Sequence, residues 1–475
     1  MKLMTAAMLA ALACPMAAHA DDAADLAAIR KDMEAMRAAY ETRLQALERR
    51  LQSAEAALAA APAPASAAAA VVAPSQPLPT AVAAAPAPTP APAPTGGAPA
   101  NAGAFNPSMS LILSGLYTNT SQDPSRYAIT GFPLPADAGI GPGTRGLSLA
   151  ESELGFAASV DPYLRGAANI ALEADNSVSI EEAYIQTTSL GNGFAVKAGR
   201  FFSGIGYLNP QHSHTWDFVD NPLAYQAMLG TQYDDDGVQV TWVPPIDQYL
   251  EFGAEVGRGR TFPGTDTSRN GAGMTSLFAH TGGDIGDSSS WRAGLSMLNA
   301  KATDQGLVAP NIDGTLVNNS FTGDTRVYVA DAIWKWAPHG NATRTNFKLQ
   351  GEYLHSTRNG SLVYDVSGAN SSGSYRAQQS GWYVQGVYQF MPYWRVGLRT
   401  EQLDAGNPNY GINSPFFPTS GFTPHKNSLM VDFNPSEFSR VRLQFAQDHS
   451  REGVTDNQWF LQYQMSLGAH GAHSY

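Results

Sequence analysis

Between Phe105 and Tyr475 apolar and polar residues alternate one for one in short runs, which restricts this stretch to strands with one oily and one wet face. The last run sets Trp459, Leu461, Tyr463, Met465 and Leu467 against Phe460, Gln462, Gln464 and Ser466. Leu250, Phe252, Ala254 and Val256 oppose Glu251 and Glu255, and Val238, Val240 and Trp242 oppose Gln239 and Thr241. About sixteen such runs are expected, near 108–118, 147–160, 163–174, 179–188, 193–200, 236–243, 249–258, 273–282, 289–300, 325–336, 345–356, 378–389, 393–402, 427–434, 439–448 and 457–468.

The connections between them alternate in length. Long Gly/Asn/Ser/Asp-rich loops (119–146, 201–235, 259–272, 301–324, 357–377, 403–426) follow most odd-numbered strands, and short links such as Asp161-Pro162 and Pro244-Pro245 follow even-numbered ones. A sandwich has no reason to gather its long loops at one end. A transmembrane barrel has one, its periplasmic turns being short and its outer loops long. A closed sheet of about sixteen strands encloses a lumen too wide for side chains to fill, so the wet face lines water and the oily face meets lipid. Closure also removes the sheet edges, which hydrocarbon does not tolerate. The expected fold is all-β, a transmembrane antiparallel β-barrel of about 16 strands over residues 105–475, preceded by an α-helical coiled coil. Charged residues make up 15% of the chain, below the roughly 25% typical of soluble proteins. A net charge of −12 supplies no basic field for phosphate backbones, so nucleic acid is not an expected partner.

Residues 1–20 read as a secretory signal, with Lys2 in the n-region, an apolar Leu3 to Ala13 and an Ala18-His19-Ala20 cleavage site. The single cysteine, Cys14, falls inside it, so the mature chain would have no disulfide. Residues 21–60 follow, with Leu26, Ile29, Met33, Met36, Tyr40, Leu44, Leu47, Leu51 and Leu58 at steps of three and four, Ala54 filling the gap before the last. This heptad seam, with one stutter after Tyr40, fits an oligomeric coiled coil in the periplasm. Residues 61–104 are almost entirely Ala, Pro, Ser, Thr and Gly, an extended linker that buries no core. The expected location is the outer membrane of a Gram-negative bacterium.

With these parts in order, the chain resembles Gram-negative porins. The coiled coil, Ala/Pro spacer and barrel are similar to the DcaP-like trimeric porins, and the barrel resembles more loosely the phosphate-selective porin O/P group. The stretch Ala198-Gly199-Arg200-Phe201-Phe202-Ser203-Gly204-Ile205-Gly206-Tyr207-Leu208-Asn209, followed by His212-Ser213-His214-Thr215-Trp216-Asp217-Phe218, looks like a family signature. The resemblance implies a homotrimer with three separate pores and passive diffusion of small hydrophilic solutes. It also implies that loop 201–235, joining the fifth and sixth strands, folds into the lumen and narrows it. Trp216, Phe218 and Tyr225 would then pack on the wall, and Asp217, Asp220, Asp234, Asp235 and Asp236 would present charge; the alternative is an ordinary outer loop.

The expected wet face carries Glu151, Glu153, Glu173, Glu251, Glu255, Glu352 and Glu401, together with Lys197, Lys348, Arg395, Arg399 and Arg442. Lining water, such charges set the preference for permeant ions; paired across strands, they hold the barrel's shape. Acids outnumber bases in this set, a departure from the Arg/Lys ladder of a phosphate-selective pore that points to a general or weakly cation-preferring channel. No cofactor is required. His212 and His214, near Asp217 and Asp220, are candidate Zn²⁺ or Cu²⁺ ligands, with His470 and His473 a second pair, and Asp234-Asp235-Asp236 a candidate Ca²⁺ cluster. Each has a plain alternative as a structural or solvated group. No G-x-S-x-G, H-E-x-x-H or P-loop occurs, so no enzyme is expected. The rival functions are a metal (zinc)-linked uptake receptor, whose barrels use about 22 strands around a plug, and a barrel-anchored envelope tether.

Overall fold

The computed structural model describes residues 107–136, 139–268, 270–419 and 421–468. The expected signal, coiled coil, linker and tail histidines lie outside the described residues. The barrel strands, in chain order, are β1 (Ser108–Thr120), β2 in two halves (Gly146–Leu149 and Ser152–Ser159), β3 (Leu164–Leu172), β4 (Val178–Thr187), β5 (Phe194–Phe202), β6 (Asp234–Trp242), β7 (Tyr249–Gly257) and β8 (Met274–Ile285). The second half of the wall comprises β9 (Ser289–Pro310), β10 (Leu316–Trp336), β11 (Asn346–Tyr364), β12 (Ser371–Met391), β13 (Trp394–Asp404), β14 (His425–Ser436), β15 (Ser439–His449) and β16 (Asp456–Gly468).

Each strand pairs antiparallel with its sequence neighbours, and β1 pairs with β16 from Ser110↔Gly468 to Thr120↔Gln458, closing the sheet. Both halves of β2 pair with β1, one strand interrupted at Ala150-Glu151, so the wall has 16 strands. Among the described residues no helix is long and apolar enough to cross a membrane; the strands do the crossing. Turns such as 286–288, 392–393 and 437–438 share one end with the start of β1, the periplasmic end by their shortness. Leu295, Leu398 and Leu277 stand on the outer face, exposed by 68%, 63% and 54%, as lipid-facing side chains must be. Rows of aromatics accompany them near the periplasmic end, Phe194 stacking on Trp242 and Trp242 on Phe252, and Trp394 packing on Phe433.

Two expected loops are corrected. Residues 301–324 and 357–377 are largely strand, because β9 to β12 run for 22, 21, 19 and 21 residues. A span needs about 9–11 residues, so the surplus projects outward beyond the hydrocarbon. A register shift between Ala302 and Gln305 reverses the parity of β9, and Asp304 adopts φ 51° there. The alternation therefore breaks where the strand does not. Inside the projection Leu307, Phe321, Leu362, Tyr364, Tyr375, Tyr410 and Phe417 form a buried cluster.

Candidate functional site

Loop 203–233 lies in the lumen, and its residues form a buried core with the wall. Ile205, Leu208, Trp216 and Leu223 to Leu229 pack against Met274, Leu298, Val327, Val329, Leu354, Tyr383 and Leu403. The segment contains a helix, α1 (Leu223–Leu229), whose start donates from the Leu223 amide to Glu401 (2.5 Å) and whose end is Gly230 in the left-handed conformation. Asn209 ties the two stems of the loop together. Its amide donates to the carbonyls of Ser203 (2.8 Å) and Tyr233 (2.9 Å), and its oxygen accepts from the Tyr233 amide (2.7 Å).

Carboxylates on the wall receive the loop's donors. Glu352 accepts from the amides of Tyr207 (3.1 Å) and Leu208 (2.9 Å) and from the hydroxyls of Tyr225 (2.8 Å) and Tyr383 (2.6 Å). Gly206, at φ +67°, passes so close that an added Cβ would sit 2.4 Å from Glu352 Oε2. Glu255 accepts from the Ser203 hydroxyl (2.5 Å), the Gly204 amide (2.8 Å) and Gln239 (2.7 Å).

Asp217 and Asp220 face the wall rather than open water. Asp217 pairs with Lys348 (2.5 Å) and Arg395 (3.4 Å), and Asp220 with Arg399 (2.9 Å) and Lys426 (2.5 Å). Burial alone would lift both carboxyls; the adjoining bases outweigh it and hold them below the usual carboxylate range. Trp216 donates its indole N–H to the Gln211 carbonyl (2.9 Å) inside the same fold.

Asp234, Asp235 and Asp236 do not lie in loop 203–233; they open β6. The period of two splits them. Asp235 is buried and accepts from the amides of Gly259 and Arg260, Asp234 pairs with Arg260 (2.7 Å), and Asp236 pairs with Arg200 (2.7 Å). Of the wet-face candidates, Glu173 sits at an outer turn, accepting from Ser179 (2.8 Å), and Glu251 pairs with His280 (3.0 Å). Arg442 and Arg395 share Asp432 (2.7 and 2.5 Å), Arg399 also reaches Glu401 (3.0 Å), and Lys197 lies over the Tyr184 ring.

His212 and His214 meet on the opposite wall, at β2 and β4. Glu153 Oε2 lies 3.3 Å from His212 Nδ1 and 3.0 Å from His214 Nδ1, while Glu181 and Glu182 approach His212 at 3.2 and 3.0 Å. Neighbouring strand residues ordinarily point to opposite faces. The register shift in β3–β4, where Asn169 opposes Glu182 and Ile170 opposes Ile180, leaves Glu181 as an extra residue and turns both carboxylates inward. Burial pulls the His212 imidazole toward neutrality; Glu153, Glu181 and Glu182 outweigh it and hold the ring protonated well above its ordinary range. Ser213 donates its hydroxyl to Glu151.

The sequence reading missed a second inward segment in the first outer loop. Ile129, Phe132 and Leu134 join the buried core, Gln379 donates to the Gly131 carbonyl (2.7 Å), and Tyr127 donates to Gln226 of α1 (3.2 Å). Its one legible signal was a run of large apolar residues inside an otherwise polar loop. Glu181, Lys335, Arg292 and Arg440 were also missed as inward groups.

Residues 153–411, more than half of the chain, match the family of phosphate-selective porins O and P. An "Uncharacterized protein" of Aquifex aeolicus (strain VF5) is 29% identical over 407 residues, 80% of this chain and 82% of that one. Solved structures similar to the chain include the trimer form of OmpT from Vibrio cholerae (12% identity, 76% of this chain and 99% of that one, TM-score 0.46). An anion-selective porin from Comamonas acidovorans (13%, 76% and 99%, 0.44) and the outer membrane channel DcaP of Acinetobacter baumannii (12%, 76% and 97%, 0.44) are others. The chain belongs to the phosphate-selective porin O and P family and is an outer-membrane porin channel for small solutes, not an enzyme.

Proposed function

We propose that solutes cross through the part of the lumen left open beside loop 203–233, and that this opening favours small anions. The observation carrying this reading is which charges keep access to water. Asp217, Glu255, Glu352 and Glu401 are 4%, 1%, 3% and 1% exposed and engaged with the loop, the wall or both. Lys348 and Arg395 keep side-chain exposures of 23% and 22%, and Arg165, Lys197, Arg292 and Lys335 are half-buried. These bases stand within about four residues of the periplasmic strand ends, where the exposed acids Asp161, Asp247, Asp284, Asp287 and Glu437 occupy the turns and adjoining strand ends around the mouth. Acids outnumber bases along the wall, but Glu255, Glu352 and Glu401 are sealed beneath the loop, whereas Lys348 and Arg395, though paired with Asp217, keep part of their surface in water. The family's description, phosphate-selective, agrees with that direction.

Reversal potentials across a planar bilayer under a KCl gradient test it. Wild type is expected to pass chloride several-fold better than potassium, and Lys197→Gln with Lys335→Gln to move the ratio toward unity. A cation-selective wild type would overturn the reading.

We further propose that the mature chain begins after residue 20, that residues 21–60 form a periplasmic coiled coil joined through linker 61–104 to the barrel, and that three copies assemble. The heptad seam supports this, since a narrow 3/4 stripe suits helix pairing better than packing on a globular surface. Deleting residues 22–60 should lower the temperature at which the detergent-solubilised trimer dissociates; an unchanged trimer would remove that role. The barrel closes on 16 strands with an inward loop, which favours the porin over a receptor built around a plug.

A further inference from the structure

We infer that Glu153, His212 and His214 form a binding site for a first-row divalent cation, Zn²⁺ foremost, that pins the first half of the inward loop to the β2–β4 wall. Three observations carry this.

The first is geometry. One ligand atom from each of the three residues lies within 4.8 Å of the others. The separations are 3.0 Å from Glu153 Oε2 to His214 Nδ1 and 3.3 Å from the same oxygen to His212 Nδ1. A tetrahedral zinc with bonds of about 2.1 Å holds its ligands roughly 3.4 Å apart, so the donors already stand close to the edges of such a tetrahedron. Glu181 Oε2 lies 3.2 Å from His212 Nδ1 but outside the set of mutually close donors, so its carboxylate borders the site.

The second is the orientation of His212. Its Nδ1 faces Glu153 and Glu181, and its Nε2 lies 3.0 Å from Glu182 Oε2. Glu182 is itself held by the Phe202 amide (3.3 Å). A ring with one nitrogen toward the donor set and the other on an anchored carboxylate has the arrangement that orients metal-bound histidines.

The third is charge. Four carboxylates, Glu151, Glu153, Glu181 and Glu182, outnumber the two imidazoles and the Lys197 ammonium that acts on Glu182, an anionic surplus in a largely buried site. A divalent cation offsets it. The nitrogen donors select Zn²⁺, Cu²⁺ or Ni²⁺ over Ca²⁺ and Mg²⁺, which prefer all-oxygen shells. The β-bulge that turns Glu181 inward adds its negative charge to the border of the site.

The test uses the full-length protein in detergent, stripped with EDTA and titrated calorimetrically with ZnCl₂. One Zn²⁺ per chain is expected, with Glu153→Gln and His214→Ala each weakening binding by more than tenfold. Glu182→Gln is expected to weaken it by roughly 10–100-fold, because the carboxylate that orients the His212 ring through Nε2 is lost. His470→Ala with His473→Ala should leave the isotherm unchanged. Zn K-edge absorption on the wild type needs no variant and should report imidazole scattering from two histidines in a four-coordinate N/O shell. Absence of saturable binding, an isotherm unchanged in His212→Ala with His214→Ala, a shell without imidazole, or binding lost with the tail histidines would each overturn the assignment. Should a variant lose the heat-modifiable migration of a folded barrel, the absorption spectrum of the wild type decides.

Discussion

Asp217→Asn combined with Asp220→Asn will enlarge the single-channel conductance, make it noisier and increase the preference for anions. Asp217 is buried and the Asp220 side chain is only 9% exposed, and between them they hold Lys348, Arg395, Arg399 and Lys426. Removing one partner of a buried ion pair costs about 3–5 kcal/mol, because the remaining charge stays desolvated without compensation. The bases gain most by pulling in water and anions, which separates residues 216–221 from the wall and opens the lumen. The barrel should survive, since its closure rests on backbone ladders that these side chains do not enter. Planar-bilayer recordings give both readouts at once. Unchanged conductance would mean that this segment does not border the permeation path.

Glu352→Ala should have the second-largest effect, through a different mechanism. Its carboxylate accepts from two loop amides and two tyrosine hydroxyls, and the residue is 3% exposed. Truncation leaves those donors buried without an acceptor, at about 1–3 kcal/mol each. The stem of the loop at Tyr207-Leu208 and the Tyr225 face of α1 then lose a common anchor. Limited proteolysis of the folded protein is expected to cut within 203–233 in the variant and to spare the wild type. Resistance in both would show that apolar packing, led by Leu223, Met228 and Leu229, holds the loop without Glu352.

Much of the wall was legible from residue order. Period-two alternation and loop length specify all sixteen strands, most to within a few residues, because lipid on one side and water on the other impose a strict parity that each strand displays on its own. Parity fails where a bulge inserts a residue. That is why β9 reads as ending near Ala300 when it continues to Pro310, and why Glu181-Glu182 do not read as two inward carboxylates.

Residue order alone requires this chain to close into a lipid-facing barrel with polar side chains inside, since each strand carries both faces locally. What those inner side chains do depends on how distant segments pack against them. Glu352 and Lys348 stand on one strand face and read alike as lumen charges, yet one is sealed beneath the inward loop and the other keeps partial access to water. Likewise, His212 and Glu153 are far apart in the chain and meet only because the loop folds back across the lumen onto β2. An electrostatic role depends on solvent access and on which opposite charge arrives within a few ångströms. Both are properties of how distant segments pack, and alternation along one strand carries no information about them.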